Sequence, residues 1–305
     1  MNNTAVSRSR TGPLRKKPWG FILVCTLPAF LLVFFFTLFP ALRALVMSFT
    51  DATAMNLTEN RWLGLENYQY MFHDHLFIQA LGNTLKLMAV VPVVTLAVSL
   101  ILAGTLDQTR IREKGVYRTI YFFPSIISMT VIAIVWSFVF HPNMGLLNNI
   151  LEKLSLGSLT HAWLGEQKTA LWCVAVTLVW QAAGYYMIMY IAAMGGIPGE
   201  LYEAATLDGA GPIRRFISVT LPLLKDIVGI TYILSLSGTI NLSFVLVTIM
   251  TGGGPNGTSS VLLQYMYEQG FRNGNFGYAM AITVFTLSIS ILLSAASRRI
   301  TRHSA

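Results

Sequence analysis

The chain has 305 residues, 54% of them hydrophobic and 11% charged, whereas an ordinary soluble domain carries about a quarter charged residues. That balance excludes a soluble globular protein. The net charge of +8 reads as membrane topology and not as nucleic-acid binding, because the lysines and arginines gather between apolar runs.

Residues 1–20 form a basic tail in which Arg8, Arg10, Arg15, Lys16 and Lys17 suit anionic headgroups on the cytoplasmic face. A helix needs about 20 largely apolar residues to cross the hydrocarbon core. Six stretches meet that demand: 21–42, 84–106, 119–140, 169–193, 227–250 and 278–297. The first is longer than the roughly 7–15-residue core of a cleaved secretory signal, so it reads as an uncleaved span. None of the six alternates polar with apolar as a barrel strand would. The expected fold class is therefore all-α, a polytopic membrane bundle of six transmembrane helices.

Cytoplasmic loops are enriched in lysine and arginine. One side collects the N-terminal cluster, then Arg110, Arg112, Lys114 and Arg118, then Arg214, Arg215 and Lys225, then Arg298, Arg299 and Arg302; the other side holds only Arg43, Arg61, Lys153, Lys168 and Arg272. A multi-pass inner-membrane protein with both termini cytoplasmic follows. The expected layout is a tail at 1–20, a transmembrane domain at 21–299 with an internal loop at 195–225, and a tail at 300–305. Cys25 and Cys173 lie within apolar runs, away from metal-ligand or disulfide patterns.

No aspartate, glutamate or histidine falls inside the six spans, and Lys86 near the outer end of the second can snorkel to the interface. An ion-coupled secondary transporter of a small polar solute, the alternative reading, would place such a group in the membrane. The chain also lacks a His-Glu-x-x-His metal site, a Gly-x-Ser-x-Gly elbow and a phosphate-cradling Gly-x-x-x-x-Gly-Lys loop. It is not expected to be an enzyme, to ligate a metal or to bind a cofactor, and energy for uphill transport would have to come from another subunit.

The most informative stretch is the internal loop from Ile197 to Pro222. Pro198 ends the preceding helix, Glu200 to Leu207 resume a short one, Gly209 and Gly211 permit a tight turn, and Pro212 starts a second helix through Phe216. Leu201, Ala204, Ala205 and Asp208 fall near one face by three-and-four spacing. The alanines let another surface approach closely.

Glu203-Ala204-Ala205, three residues, Gly209, nine residues, then Val219-x-Leu221-Pro222 resembles the signature of the binding-protein-dependent ABC importer permeases, with valine in place of an isoleucine. The resemblance covers nearly the whole chain and implies that Glu203, Ala204, Ala205, Asp208, Gly209, Leu221 and Pro222 belong to a coupling loop. Such a loop seats in a cytoplasmic ATPase subunit, which would hold ATP and Mg. It also implies a second homologous permease, a pair of ATP-binding subunits and an extracytoplasmic solute-binding protein as partners, with membrane lipid around them and no nucleic acid. The turn Thr251-Gly-Gly-Gly-Pro255 and Tyr121-Phe-Phe-Pro124 with Trp136 resemble the carbohydrate-uptake branch of maltose and glycerol-phosphate permeases, which implies a sugar or sugar-like solute.

Transporter solute sites lie near the bilayer midplane. The fourth span offers Trp180, Gln181, Tyr185 and Tyr186, and the fifth offers Ser235, Ser237, Thr239, Asn241 and Ser243. Gln181, Tyr185, Asn241 and Ser243 are the candidate solute-lining residues, Tyr185 and Ser243 by register with the maltose-type relatives. Leu178, Ala182, Leu236 and Ile240 are apolar at other matching positions, which shifts part of the solute contact to the partner permease.

Overall fold

A computed structural model gives the fold. The structure describes residues 19–56, 60–108 and 113–303. The predicted basic tail through Lys17, together with Arg110 and Arg112, lies outside the described residues, as do positions 304–305 of the C-terminal tail.

The chain divides into two units, Met1–Val46 and Met47–Ala305. The described part of the first is a single apolar helix, Trp19–Val33 continued by a π-helical turn at Phe34–Leu38 and by Phe39–Met47. Phe30, Phe35, Phe36 and Leu42 all stand exposed on it. Such an all-round apolar surface is stable only in lipid or against another protein.

The second unit holds the other spans. The second span is one helix, His75–Gln108, and the fourth is Ala170–Met194. The fifth runs from Lys225 to Leu246 and ends in a π-helical turn, Val247–Thr251; the sixth is Phe276–His303. The second span begins nine residues before the predicted 84, because Asp74 caps it: Oδ1 accepts from the Leu76 amide at 3.0 Å.

The third span corrects the expectation of one continuous helix over 119–140. It is two helices, Lys114–Ile126 and Met129–Val139, bent by 101°. Pro124 removes a donor from the last turn of the first arm, and Ile127 and Ser128 then take extended conformations, with ψ of 141° and 134°. The first arm is seated by Gly184 of the fourth span. A Cβ at that position would stand 1.8 Å from the Tyr121 carbonyl oxygen, so the two backbones touch.

Lipid tails are as apolar as leucine, so spans associate through close packing and interhelical hydrogen bonds. Clusters of buried residues do this, two of them drawing on the second and fourth spans. One joins Leu87, Val91, Ile132, Val174, Leu178 and Leu246. The other joins Leu96, Ala103, Leu106, Tyr186, Tyr190 and Leu224, next to the 195–225 loop. Hydroxyls add bonds between spans: Tyr190 and Thr231 share one at 2.7 Å, Ser99 donates to the Ala183 carbonyl at 2.8 Å, and Ser125 donates to the Gln181 carbonyl at 3.1 Å.

At the opposite end of the bundle, short helices Glu66–His73, Leu146–Lys153 and Leu262–Tyr267 lie between the spans. Asp74 Oδ2 accepts from both tyrosines that meet it, Tyr265 at 2.5 Å and Tyr278 at 2.6 Å. Three helices are joined at that single carboxylate.

Candidate functional site: the 195–225 loop

Gly199–Leu207 is a helix entered from Pro198, which is extended (φ −57°, ψ 130°) as its lack of a backbone donor permits. Its exit is set by Gly209, at φ +76°. The Gly209 amide reaches back to the Thr206 carbonyl at 3.0 Å, and the Ala210 amide to the Ala205 carbonyl at 2.9 Å. That is the Schellman arrangement, in which a left-handed residue closes the last turn. Gly211 is merely extended (φ −68°, ψ 171°), and Pro212 occupies the first turn of the next helix, Pro212–Arg215.

A π-helical turn, Phe216–Thr220, and a short helix, Leu221–Leu223, then lead into the fifth span. Two side-chain bonds hold the resulting hairpin. Tyr202 and Thr220 hydroxyls share a hydrogen bond at 3.0 Å, and Arg215 Nη1 donates to Thr206 Oγ1 at 3.0 Å, which itself donates to the Tyr202 carbonyl at 2.7 Å. Neither contact follows from the signature residues. Both depend on the turn at Gly209 bringing the two arms side by side.

The signature residues face outward. Glu203, Ala204, Asp208, Gly209, Leu221 and Pro222 are exposed and Ala205 is half-buried. Leu207 and Ile213 flank the turn at 89% and 76% exposure. The hairpin thus presents two bare apolar side chains beside the Glu203 and Asp208 carboxylates, on a framework already fixed by hydrogen bonds. This combination suits a socket on another protein, because the ordering cost is met before docking.

The four solute-lining candidates differ in exposure. Tyr185 is exposed, with its ring edge-on to Tyr186 at 5.2 Å. Asn241 is exposed on the fifth span, its Nδ2 donating to the Ser237 carbonyl at 2.9 Å. Gln181 is half-buried. Ser243 is 2% exposed and donates to its own helix at Ile240, 3.0 Å away. Thr239 likewise donates to the Ser235 carbonyl at 2.8 Å. Trp180, by contrast, lies on an open face beside Trp136.

The family described as the binding-protein-dependent transport system inner membrane component matches residues 98–304, the stretch that contains the hairpin. The chain belongs to this family. The permease is 40% identical over 237 residues to a probable ABC transporter permease of Bacillus subtilis (strain 168), YurN, covering 77% of this chain and 81% of that one. It is 36% identical over 269 residues to the diacetylchitobiose uptake system permease NgcF of Streptomyces coelicolor, covering 85% and 76%. It is 29% identical over 289 residues to the sn-glycerol-3-phosphate permease UgpA of Salmonella typhimurium, covering 94% and 95%. Among solved structures, a chain of a bacterial ABC transporter involved in importing the acidic polysaccharide alginate superposes with a TM-score of 0.83 at 21% identity, covering 93% of the permease and 96% of that chain; this shows the shared fold. The permease is an inner-membrane component of an ABC importer.

Proposed function

We propose that the permease pairs with a second homologous permease, two cytoplasmic ATP-binding subunits and an extracytoplasmic solute-binding protein, and translocates a sugar or sugar-like solute. The observation that carries the coupling role is the prefixed hairpin with Leu207 and Ile213 bare at its tip. Docked in an ATPase subunit, the hairpin would move when that subunit closes on ATP and Mg, and the bundle would rock with it. Glu203 and Asp208 would meet cationic groups on the ATPase, Ala204 and Ala205 would allow close approach, and Leu221 and Pro222 would begin the link to the fifth span. In this arrangement both termini and the hairpin are cytoplasmic, and the permease performs no chemistry.

The carbohydrate reading is supported by relatives named for diacetylchitobiose uptake and sn-glycerol-3-phosphate transport. Exposed aromatic and amide side chains, Trp180, Tyr185 and Asn241, have the chemistry to stack on sugar rings and bond hydroxyls. Affinity capture of the permease from membranes tests the assembly: a nucleotide-binding subunit and a second permease should co-purify, and their absence would reject it. Uptake of labelled chitobiose, maltose and glycerol 3-phosphate by cells with and without the permease tests the solute class.

A further inference from the structure

The inner end of the second span carries a glycine that apolar patterning alone does not explain. Gly104 is buried, and a Cβ built on it would stand 2.7 Å from Phe216 Cε2 and 3.0 Å from Cδ2. The Phe216 ring therefore rests directly on the helix backbone. Phe216 opens the π-helical turn of the hairpin and follows Arg215, which is tied to Thr206. The same ring packs against the buried cluster that includes Ala103, Leu106 and Tyr190.

The second span has another attachment at its far end. Asn83, 3% exposed, donates through Nδ2 to the carbonyls of Thr258 and Ser260, each at 2.9 Å. Its neighbour Thr84 accepts from the Leu262 amide at 2.9 Å. These bonds hold the glycine-rich 252–261 loop, which follows the fifth span. Between positions 83 and 104 the helix runs continuously through Pro92 and is about 32 Å long at 1.5 Å per residue.

We propose that Phe216, seated on Gly104, passes displacement of the hairpin to the second span, and that this helix carries it to the 252–261 loop held by Asn83 and Thr84. The inference rests on the coupling role proposed above. A well-packed helix with few voids moves as a piece rather than absorbing strain locally, and a glycine seat transmits a push without the slack of two flexible side chains. Phe216 is a positioning residue, acting through the span. Spatial continuity by itself is not coupling, so the test must read motion at the far end.

The measurement uses the complex purified with its ATPase subunits, in a Cys25→Ser background carrying Thr258→Cys, and follows maleimide labelling of that site before and after trapping with ATP and vanadate. Trapping is expected to change the labelling rate about tenfold, within the usual span of allosteric coupling. Gly104→Ala, which pushes the ring off its seat, should abolish the change while the ATPase subunits still co-purify, and Gly104→Ala with Phe216→Leu should restore most of it. A normal response in Gly104→Ala, or no restoration in the double variant, would overturn the inference. Absence of ATPase subunits from the parent complex would instead strike the coupling role itself.

Discussion

Tyr202 and Thr220 share a hydrogen bond at 3.0 Å across the hairpin, joining the helix that holds the Glu-Ala-Ala triplet to the turn that feeds the fifth span. The Arg215–Thr206 contact and the turn itself are further links between the two arms. A neutral hydrogen bond contributes about 1 kcal/mol net. Tyr202→Phe should therefore lower uptake several-fold with normal insertion, and Thr220→Val should do the same. The double variant should be no worse than either single one, because both remove one bond; initial rates of solute uptake check this.

Gly209 holds φ at +76° with open space around its Cβ position, so substitution there strains the backbone without causing a clash. A non-glycine residue costs about 1–2 kcal/mol in this region. Gly209→Ala should weaken uptake moderately. Gly209→Asp adds a charge beside Asp208 at the hairpin turn and, on the proposed docking role, should abolish uptake, with membrane insertion intact by protease protection. Normal uptake by Gly209→Asp would count heavily against the docking role.

Gly184 behaves oppositely, because its Cβ would enter the Tyr121 carbonyl. Overpacking of this kind costs about 1–3 kcal/mol. Gly184→Leu should lower the thermal unfolding midpoint of the purified permease, and Gly209→Ala should shift it less. Equal midpoints for Gly184→Leu and the parent would contradict the backbone contact.

The Asp74 cluster gives a pH dependence. The Tyr265 phenol is raised above its ordinary value of 10.0, first by burial and then by its hydrogen bond to the Asp74 carboxylate and that group's charge. The folded state thus keeps a proton that the unfolded chain releases. The stability it contributes is full below about pH 10 and is lost as pH rises further. Tyr265→Phe should flatten that alkaline slope, measured by thermal unfolding between pH 8 and 11 (about the range around the unperturbed phenol).

Exposure separates the solute candidates. Tyr185→Ala and Asn241→Ala should reduce transport of the solute by raising its half-saturating concentration, whereas Ser243→Ala, which loses only a bond to its own helix, should leave uptake within about twofold. A larger effect at Ser243 than at Tyr185 would reverse that assignment.

The spans were legible because each is a run of side chains that only lipid accommodates, and hydropathy detects such runs without knowledge of packing. The loop was legible because Pro198, Gly209 and Pro212 each impose a local backbone state. The break at Ile127–Ser128 was only hinted at by Pro124, Ser125 and Ser128, because membrane helices tolerate proline and serine and hydropathy does not register such a junction. The seating of Phe216 on Gly104 was hidden: it joins residues far apart in sequence, and only the folded hairpin brings the ring to that helix. A glycine at the inner end of an apolar run was the one available hint. Ser243 was ambiguous on different grounds: a serine in a span reads alike whether it faces a cavity or, as here, bonds the carbonyl of its own helix.

The kinked third span has a further consequence for the surroundings. Ending one helix and starting another leaves the last carbonyls of the first arm and the first amides of the second without partners in their own helices. Bare hydrocarbon cannot satisfy such groups, so irregular backbone at this depth persists only beside protein or water. Ser128 is exposed on the isolated chain; in the bilayer its neighbourhood must be wet or roofed by another subunit. A thiol introduced by Ser128→Cys should accordingly react with a water-borne reagent, or be shielded only when the second permease is present.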